Sequence, residues 1–314
     1  MSPKNILVLG LGELGLQIVT SLAKSKPSST SLTVLLRPST LNSPPASKQA
    51  ELSSLASLSV KFLPGDVVHT PESDLPILFG PFDLIICALG FASPSGGLQL
   101  KISRAVIAAG VETYYPWQFG VDYELVGRGS AQPVWDEQLD VRELLGGQSK
   151  TKWVIVSTGL FTSFLFEEFF GVVVKDDGGK GVKVRALGDW GNGVCVTTPE
   201  DIGRLTASVV FDGEERGKGG EVVYTAGDSI TYEGLADLLE KEMGGEVERV
   251  LWTVEHLQKE LNEDPENTVM KYRVAFAVGK GVRWPMEQTY NYQKSIKTVD
   301  VKEYIQSRVK AKLV

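Results

Sequence analysis

The stretch Asn5 to Gly15, NILVLGLGELG, carries the reading on which the fold turns. Residues Asn5 to Leu9 form a compact apolar β-run that stops at a glycine. From Leu14 to Lys24 the apolar residues Leu14, Ile18, Val19 and Leu22 then recur at helical spacing. The pattern predicts a strand, a tight turn and a helix. The three glycines have separable reasons: Gly10 permits the turn, Gly12 lets backbone come close to a ligand, and Gly15 lets the helix pack on the strand. Unpaired N–H groups at a helix start favour phosphate charge. The loop Gly10, Leu11, Gly12, Glu13, Leu14 and Gly15 is therefore expected to cradle the pyrophosphate of a dinucleotide.

Working outward, LTVLL at Leu32 to Leu36 follows a Ser-rich loop and reads as a second parallel strand, ended by Arg37 and Pro38. The Ser- and Pro-rich segment Pro38 to Ser47 reads as a loop before a helix at Lys48 to Leu55, and Val60 to Asp66 supplies a third strand. FDLIICAL, Phe82 to Leu89, lacks polar alternation, so both of its faces are expected to be covered. A helix at Gln99 to Ala109, a strand at Glu112 to Tyr115, a helix at Val134 to Leu145 opened by Pro133, and a strand at Trp153 to Ser157 continue the rhythm.

From Leu160 onward the rhythm changes. VKVRAL and VCVTT flank the turn GDWGNG, Thr231 caps a helix over Tyr232 to Met243, and VERVLWTVEHLQKEL reads as strand then helix. The expected architecture is α/β: a Rossmann-type doubly wound parallel sheet over 1–160, and a smaller C-terminal substrate-binding lobe over 161–314 with segments returning to the first domain.

Composition narrows the function classes. The 314-residue chain is 42% hydrophobic and 23% charged, near the globular average, and can bury a core without staples. A formal charge of −7 and a pI near 5.1 give no broad positive field for nucleic acid or acidic lipid. Cys87 and Cys195 are the only cysteines, which argues against a disulfide framework or a cysteine metal site and fits a reducing, cytoplasmic setting. The longest apolar stretch, Trp153 to Phe166, is too short for a bilayer span and holds Gly159 mid-run. Glu13 interrupts the apolar N-terminus and no small-residue cleavage site follows, so no secretory leader is expected.

Cofactor choice turns on the end of the second strand. An acidic residue there would bind adenine ribose hydroxyls, whereas this chain offers Arg37 followed by Ser39 and Thr40, suited to a 2′-phosphate. NADPH is expected. The loops after the fourth, fifth and sixth strands should line the nicotinamide: Leu89, Gly90 and Phe91; Pro116, Trp117, Gln118 and Phe119; and Thr158, Gly159 and Phe161. Their aromatic residues suit an aromatic-tolerant pocket and equally suit ordinary packing.

A Tyr with a Lys four residues on, which lowers the phenol pKa for proton transfer, is missing near the sheet. The one such pair, Tyr290 with Lys294, lies far past it and reads as chance. His69 and His256 lack the neighbours of a metal ligand or nucleophile.

Together GLGELG, YYPWQFGVDYE, WDEQLDVRELL, WVIVSTGLFTSFLFE and VTTPEDIG resemble NmrA-like and isoflavone reductase-like proteins, particularly fungal ones. The quoted motifs run through roughly the first two thirds of the chain. The resemblance implies an atypical short-chain dehydrogenase/reductase fold, NADPH on the first domain, and a small aromatic substrate in a cleft. In the reductases a lysine on the helix after the fifth strand serves as general acid/base or orients the substrate. Aligning on Val141 and Arg142 puts Gln138 there, on one helical face with Trp135, Leu139 and Arg142. An amide orients but does not donate a catalytic proton, which leaves Tyr115, Tyr123, Asp136 or water as candidate acids.

Three functions follow as expectations. The first is an NADPH-dependent reductase of a conjugated aromatic or polyketide-like molecule. The second is an NADP-binding redox sensor that engages a protein partner without turnover, and the third is a redox-neutral isomerase or cyclase.

Overall fold

The computed structural model describes residues 3–90, 96–176, 181–213 and 219–313. The chain divides into two compact units. The first comprises Met1–Gln118, Glu137–Val156 and Ile202–Val223; the second comprises Phe119–Asp136, Ser157–Asp201 and Tyr224–Val314.

Among the described residues, thirteen strands follow in chain order. They are β1 (Asn5–Leu9), β2 (Ser31–Leu36), β3 (Val60–Pro64), β4 (Leu84–Cys87), β5 (Thr113–Tyr115), β6 (Lys152–Ser157), β7 (Leu160–Phe161), β8 (Val173–Lys175), β9 (Val182–Leu187), β10 (Gly193–Thr197), β11 (Glu221–Tyr224), β12 (Asp228–Thr231) and β13 (Val247–Trp252). The first unit is built on a seven-stranded sheet in the order β11-β6-β5-β4-β1-β2-β3. The pairings from β3 across to β6 are all parallel.

Chain order reverses between β1 and β4, and the register sets Leu9 against both Leu35 and Cys87. The carboxyl ends of these strands therefore finish level, and a ligand site beyond them is a consequence of the topology. The apolar runs are explained by burial: Ile6 to Leu9 and Ile85 to Cys87 have no exposed surface. One continuous core joins Leu7, Leu9, Leu35, Phe79, Ile85, Ile102, Val106, Val141 and Leu145, with Trp117 and Trp153 at its edge.

Where reading and structure differ, the reason is local. The expected loop after Arg37 begins as a helical turn, Pro38–Asn42, because Pro38 has its φ already set for a first helical position and the Arg37 carbonyl accepts the Thr40 N–H at 2.9 Å. The fourth strand is shorter than its apolar run, Leu84–Cys87, although the Ala88 N–H just past it still donates to the Leu9 carbonyl at 2.9 Å.

The second unit holds two three-stranded sheets, β12-β10-β7 and β13-β9-β8. Thr231 caps the helix Tyr232–Met243 as its position predicts, its hydroxyl accepting the Gly234 N–H at 3.0 Å. Asp122 ties this unit together: its carboxylate caps the short helix Tyr123–Val126 and accepts the Tyr224 hydroxyl, while its N–H donates to the Gly281 carbonyl at 2.8 Å.

Both cysteines are free and buried, Cys87 in β4 and Cys195 in β10. Burial pushes the Cys87 thiol up to about 12 and the Cys195 thiol up to about 11. A raised pKa keeps the thiol protonated below that pH, and only the thiolate is the nucleophile. Iodoacetamide at pH 8 should therefore leave both cysteines unmodified in the folded protein and label them after denaturation. Fast labelling of native protein would contradict this packing.

Candidate functional site

The glycine loop sits between β1 and the helix Glu13–Ser25, and its glycines are required for different reasons. Gly10 has φ +94°, and a Cβ there would meet Leu89 Cδ2 at 2.6 Å. At Gly15 a Cβ would stand 2.5 Å from the Gly10 carbonyl oxygen, so helix and strand end touch backbone to backbone. Gly12 is unlike both. Its φ of −77° suits any residue, and a Cβ built on it meets nothing within 4 Å. Neither backbone strain nor protein packing calls for glycine there. The bare Cα instead leaves open space in front of a helix start that has no side-chain cap, where unpaired N–H groups favour an anion.

Cations flank the loop. Arg37 is exposed at the end of β2, and its guanidinium makes no hydrogen bond or ion pair among the described residues. Lys48, on the helix Ala46–Ser57, donates from Nζ to the Leu11 carbonyl at 2.9 Å and pairs with Glu51. Sequence reading took Lys48 only as a helix start, since nothing in its spacing says that the helix leans over the glycine loop. Ser39 is exposed within the Pro38–Asn42 turn.

The segment after β4 is held by Gln99, which sequence reading also passed over. Its Nε2 donates to the Leu89 carbonyl at 2.7 Å and the Gly90 carbonyl at 3.3 Å. Its own N–H donates to Glu137 Oε1 at 2.7 Å, which places a carboxylate at the start of the helix Leu98–Ala109. Phe91, expected in this loop, lies outside the described residues.

After β5, Trp117 packs against the core of the first unit. Gln118 is fully buried and locked: Arg142 Nε donates to its Oε1 at 2.7 Å, and its Nε2 donates to the Gln138 carbonyl at 2.9 Å. Gln138 is fully buried too, and neither Nε2 nor Oε1 of its amide has a hydrogen-bond partner among the described residues. A buried amide left without partners costs about 1–3 kcal/mol per group, and no described residue offsets that cost at Gln138. Tyr115 is buried at the end of β5, next to Pro116.

The remaining expected residues belong to the second unit. The Thr158 and Gly159 N–H groups both donate to the Gly120 carbonyl at 3.0 Å, one residue past the buried Phe119. Gly159 has φ +70° and a Cβ there would fall 2.1 Å from the Cys195 carbonyl, so its requirement comes from strand packing. The buried hydroxyls of Ser157, Thr158 and Thr162 have no hydrogen-bond partner among the described residues. Phe161 is partly buried, with its ring 5.9 Å from that of Phe164.

Of the candidate acids in this unit, Tyr123 is buried edge-on to Trp135 at 6.0 Å, and Asp136 accepts the Gly129 N–H at 3.1 Å. Among the described residues no group of three or more His, Cys, Asp or Glu could hold a metal ion. No helix among them is long and apolar enough to cross a membrane.

Sheet order and glycine loop define the class, an α/β protein with a Rossmann-like parallel sheet. The chain belongs to the NmrA-like family, whose profile it matches over residues 2–305. It is 45% identical to an NmrA-like family domain-containing oxidoreductase of Gibberella moniliformis over 304 residues, 96% of this chain and 97% of the relative. It is 26% identical to the phenylcoumaran benzylic ether reductase POP1 of Populus trichocarpa, over 98% of this chain and 100% of that one. The fold is that of AtPrR2 with NADP+ and (+)pinoresinol, at TM-score 0.76 and 17% identity, covering 99% of each chain. It is likewise that of an isoflavone reductase, at TM-score 0.72 and 21% identity, covering 97% of this chain and 95% of that one.

Removing a guanidinium–phosphate contact costs a charge-assisted hydrogen bond. Arg37→Asp should weaken NADPH by about tenfold or more in a fluorescence titration while changing NADH little. Equal losses for the two nucleotides would rule out a 2′-phosphate contact at Arg37.

Proposed function

We propose that this protein is an NADPH-dependent reductase of a conjugated aromatic or polyketide-like small molecule, acting in the cytoplasm. The observation that carries the reading is Gly12, a glycine that neither conformation nor packing requires, set before an uncapped helix start. That cradle suits a pyrophosphate approached by backbone alone. Arg37, with Ser39 beside it, would take the 2′-phosphate, and Lys48 would brace the loop through the Leu11 carbonyl.

Gln99 would keep the Leu89–Gly90 backbone in place, and Trp117, Gln118, Phe119, Thr158, Gly159 and Phe161 are the proposed nicotinamide-side residues. The partnerless hydroxyls of Ser157, Thr158 and Thr162 support a polar group binding near them. The first unit would serve the cofactor and the second chiefly the substrate. When bound, the cofactor supplies hydride to an electrophilic carbon. The chain's own part is to orient the substrate and exclude water. Gln138 contributes a hydrogen bond without exchanging a proton, which leaves proton delivery to a tyrosine such as Tyr115 or to water. The free, buried thiols fit a reducing compartment.

The same amide favours a second reading, an NADP-binding sensor that engages a protein partner and turns nothing over. The two separate in one assay. Purified protein with NADPH, challenged with aromatic enones and quinones, should oxidise NADPH at 340 nm in proportion to substrate consumed. Tight NADPH binding with no oxidation across the panel would reject the reductase and favour the sensor.

A further inference from the structure

The second unit holds an open cleft of about 620 Å³ that shares no residue with the candidate site. Its walls come from residues 191–193 at the start of β10, from Ser229 of β12, and from Gly279 with residues 283–287. Small-molecule clefts commonly run to about 300–1,000 Å³, so the volume suits a small organic ligand.

Both walls are fixed by hydrogen bonds. The Asn192 side chain donates to the Leu187 carbonyl at 2.9 Å and the Phe276 carbonyl at 3.1 Å, and its Oδ1 accepts the Gly193 N–H at 2.8 Å. The Trp284 N–H donates to Cys195 Sγ at 3.3 Å, its carbonyl accepts the Ser229 hydroxyl at 2.8 Å, and its ring lies 5.2 Å from that of Tyr224.

Three polar groups on this frame are left over. Arg283 donates from Nε to Ser229 Oγ at 3.2 Å, which orients the guanidinium while its terminal nitrogens keep no partner among the described residues. Glu287 lines the same cleft, and its carboxylate makes no hydrogen bond or ion pair among the described residues. The third group is the Trp284 indole N–H: the residue is 6% exposed, and Nε1 is buried with no acceptor among the described residues. A buried indole N–H usually finds one.

Water ordinarily meets an exposed charge, so neither Arg283 nor Glu287 alone marks a site. Their combination does: opposite charges line one cleft without pairing, the cation is held through Ser229, and a buried donor lacks its acceptor on the same wall. Pro285 and Met286 add hydrocarbon between the two charges in the chain.

We propose that this cleft binds a free α-amino acid with an apolar or aromatic side chain. The ligand's carboxylate takes paired hydrogen bonds from the Arg283 terminal nitrogens, with the Trp284 N–H as a further donor. Its ammonium pairs with Glu287, and its side chain lies along Pro285 and Met286. A simple carboxylate would leave Glu287 unmatched, and a simple amine would leave Arg283 unmatched. The site stands apart from the reductase reading, since none of these groups belongs to the glycine loop or to the proposed nicotinamide-side residues.

L-Phenylalanine, titrated calorimetrically into the full chain, is the probe. It should bind at least about tenfold more tightly than 3-phenylpropanoate, which lacks the ammonium, and than 2-phenylethylamine, which lacks the carboxylate. Glu287→Gln removes no hydrogen bond of the free protein, so its unfolding temperature should match the parent's while the preference over 3-phenylpropanoate disappears. Arg283→Gln should abolish the preference over 2-phenylethylamine. No binding of L-phenylalanine at millimolar concentration would overturn the assignment, as would equal affinity for the three compounds. So would a Glu287→Gln protein that keeps the parent's preference for the amino acid.

Discussion

The structure depends first on one backbone contact, the approach of Gly15 to the carbonyl of Gly10. A Cβ at Gly15 would stand 2.5 Å from that oxygen, so the helix Glu13–Ser25 meets the end of β1 only because a side chain is absent. The contact aims the helix start past the end of the strand, where the sheet's reversal between β1 and β4 opens the ground for a ligand. Gly12 lies between the two contacting residues and is the one glycine of the three whose Cβ the protein would accommodate. Fold and proposed cofactor site thus share an origin: close packing at Gly10 and Gly15 creates the open cradle at Gly12.

Buried polar groups fall into two kinds. Gln99, Glu137, Gln118 and Arg142 spend their hydrogen bonds on one another and on loop backbone, which holds the segments after β4 and β5 in place. Gln138 and the hydroxyls of Ser157, Thr158 and Thr162 are buried without partners among the described residues. Native interiors seldom leave such groups unpaired, and where they do a bound molecule is a natural explanation. The first kind makes a rigid support; the second is left without an internal partner among the described residues. Gln138 sits on the helix whose preceding carboxylate, Glu137, anchors the support, so its position is well determined although its amide is idle.

Much of the fold was legible because its signals are local. An apolar five-residue run closed by glycine reads as β1, and four apolar residues at helical spacing read as the helix that follows. The cap at Thr231 and the strands flanking GDWGNG were equally readable, since a cap or a turn is written in neighbouring residues. The glycine loop was legible as a candidate site, a turn between strand and helix, for the same reason, and Arg37 as a candidate because it directly follows β2. What was hidden depends on long-range packing. Lys48 reaches Leu11 across 37 positions and Arg142 reaches Gln118 across 24, and no periodicity announces either contact. Gly159 read as part of a ligand loop, yet its contact with the Cys195 carbonyl shows that its glycine is demanded by strand packing.

The central claim is that the open space at Gly12 belongs to a dinucleotide pyrophosphate. Gly12→Asp tests it most directly, because Asp is among the better residues at a helix N-cap and its negative charge suits a helix start. Thermal unfolding without nucleotide should therefore be unchanged or slightly raised, while NADPH affinity by fluorescence titration should fall by roughly a hundredfold, as charge and side chain enter the phosphate's place. NADPH affinity equal to that of the parent, in a variant of equal stability, would contradict the account.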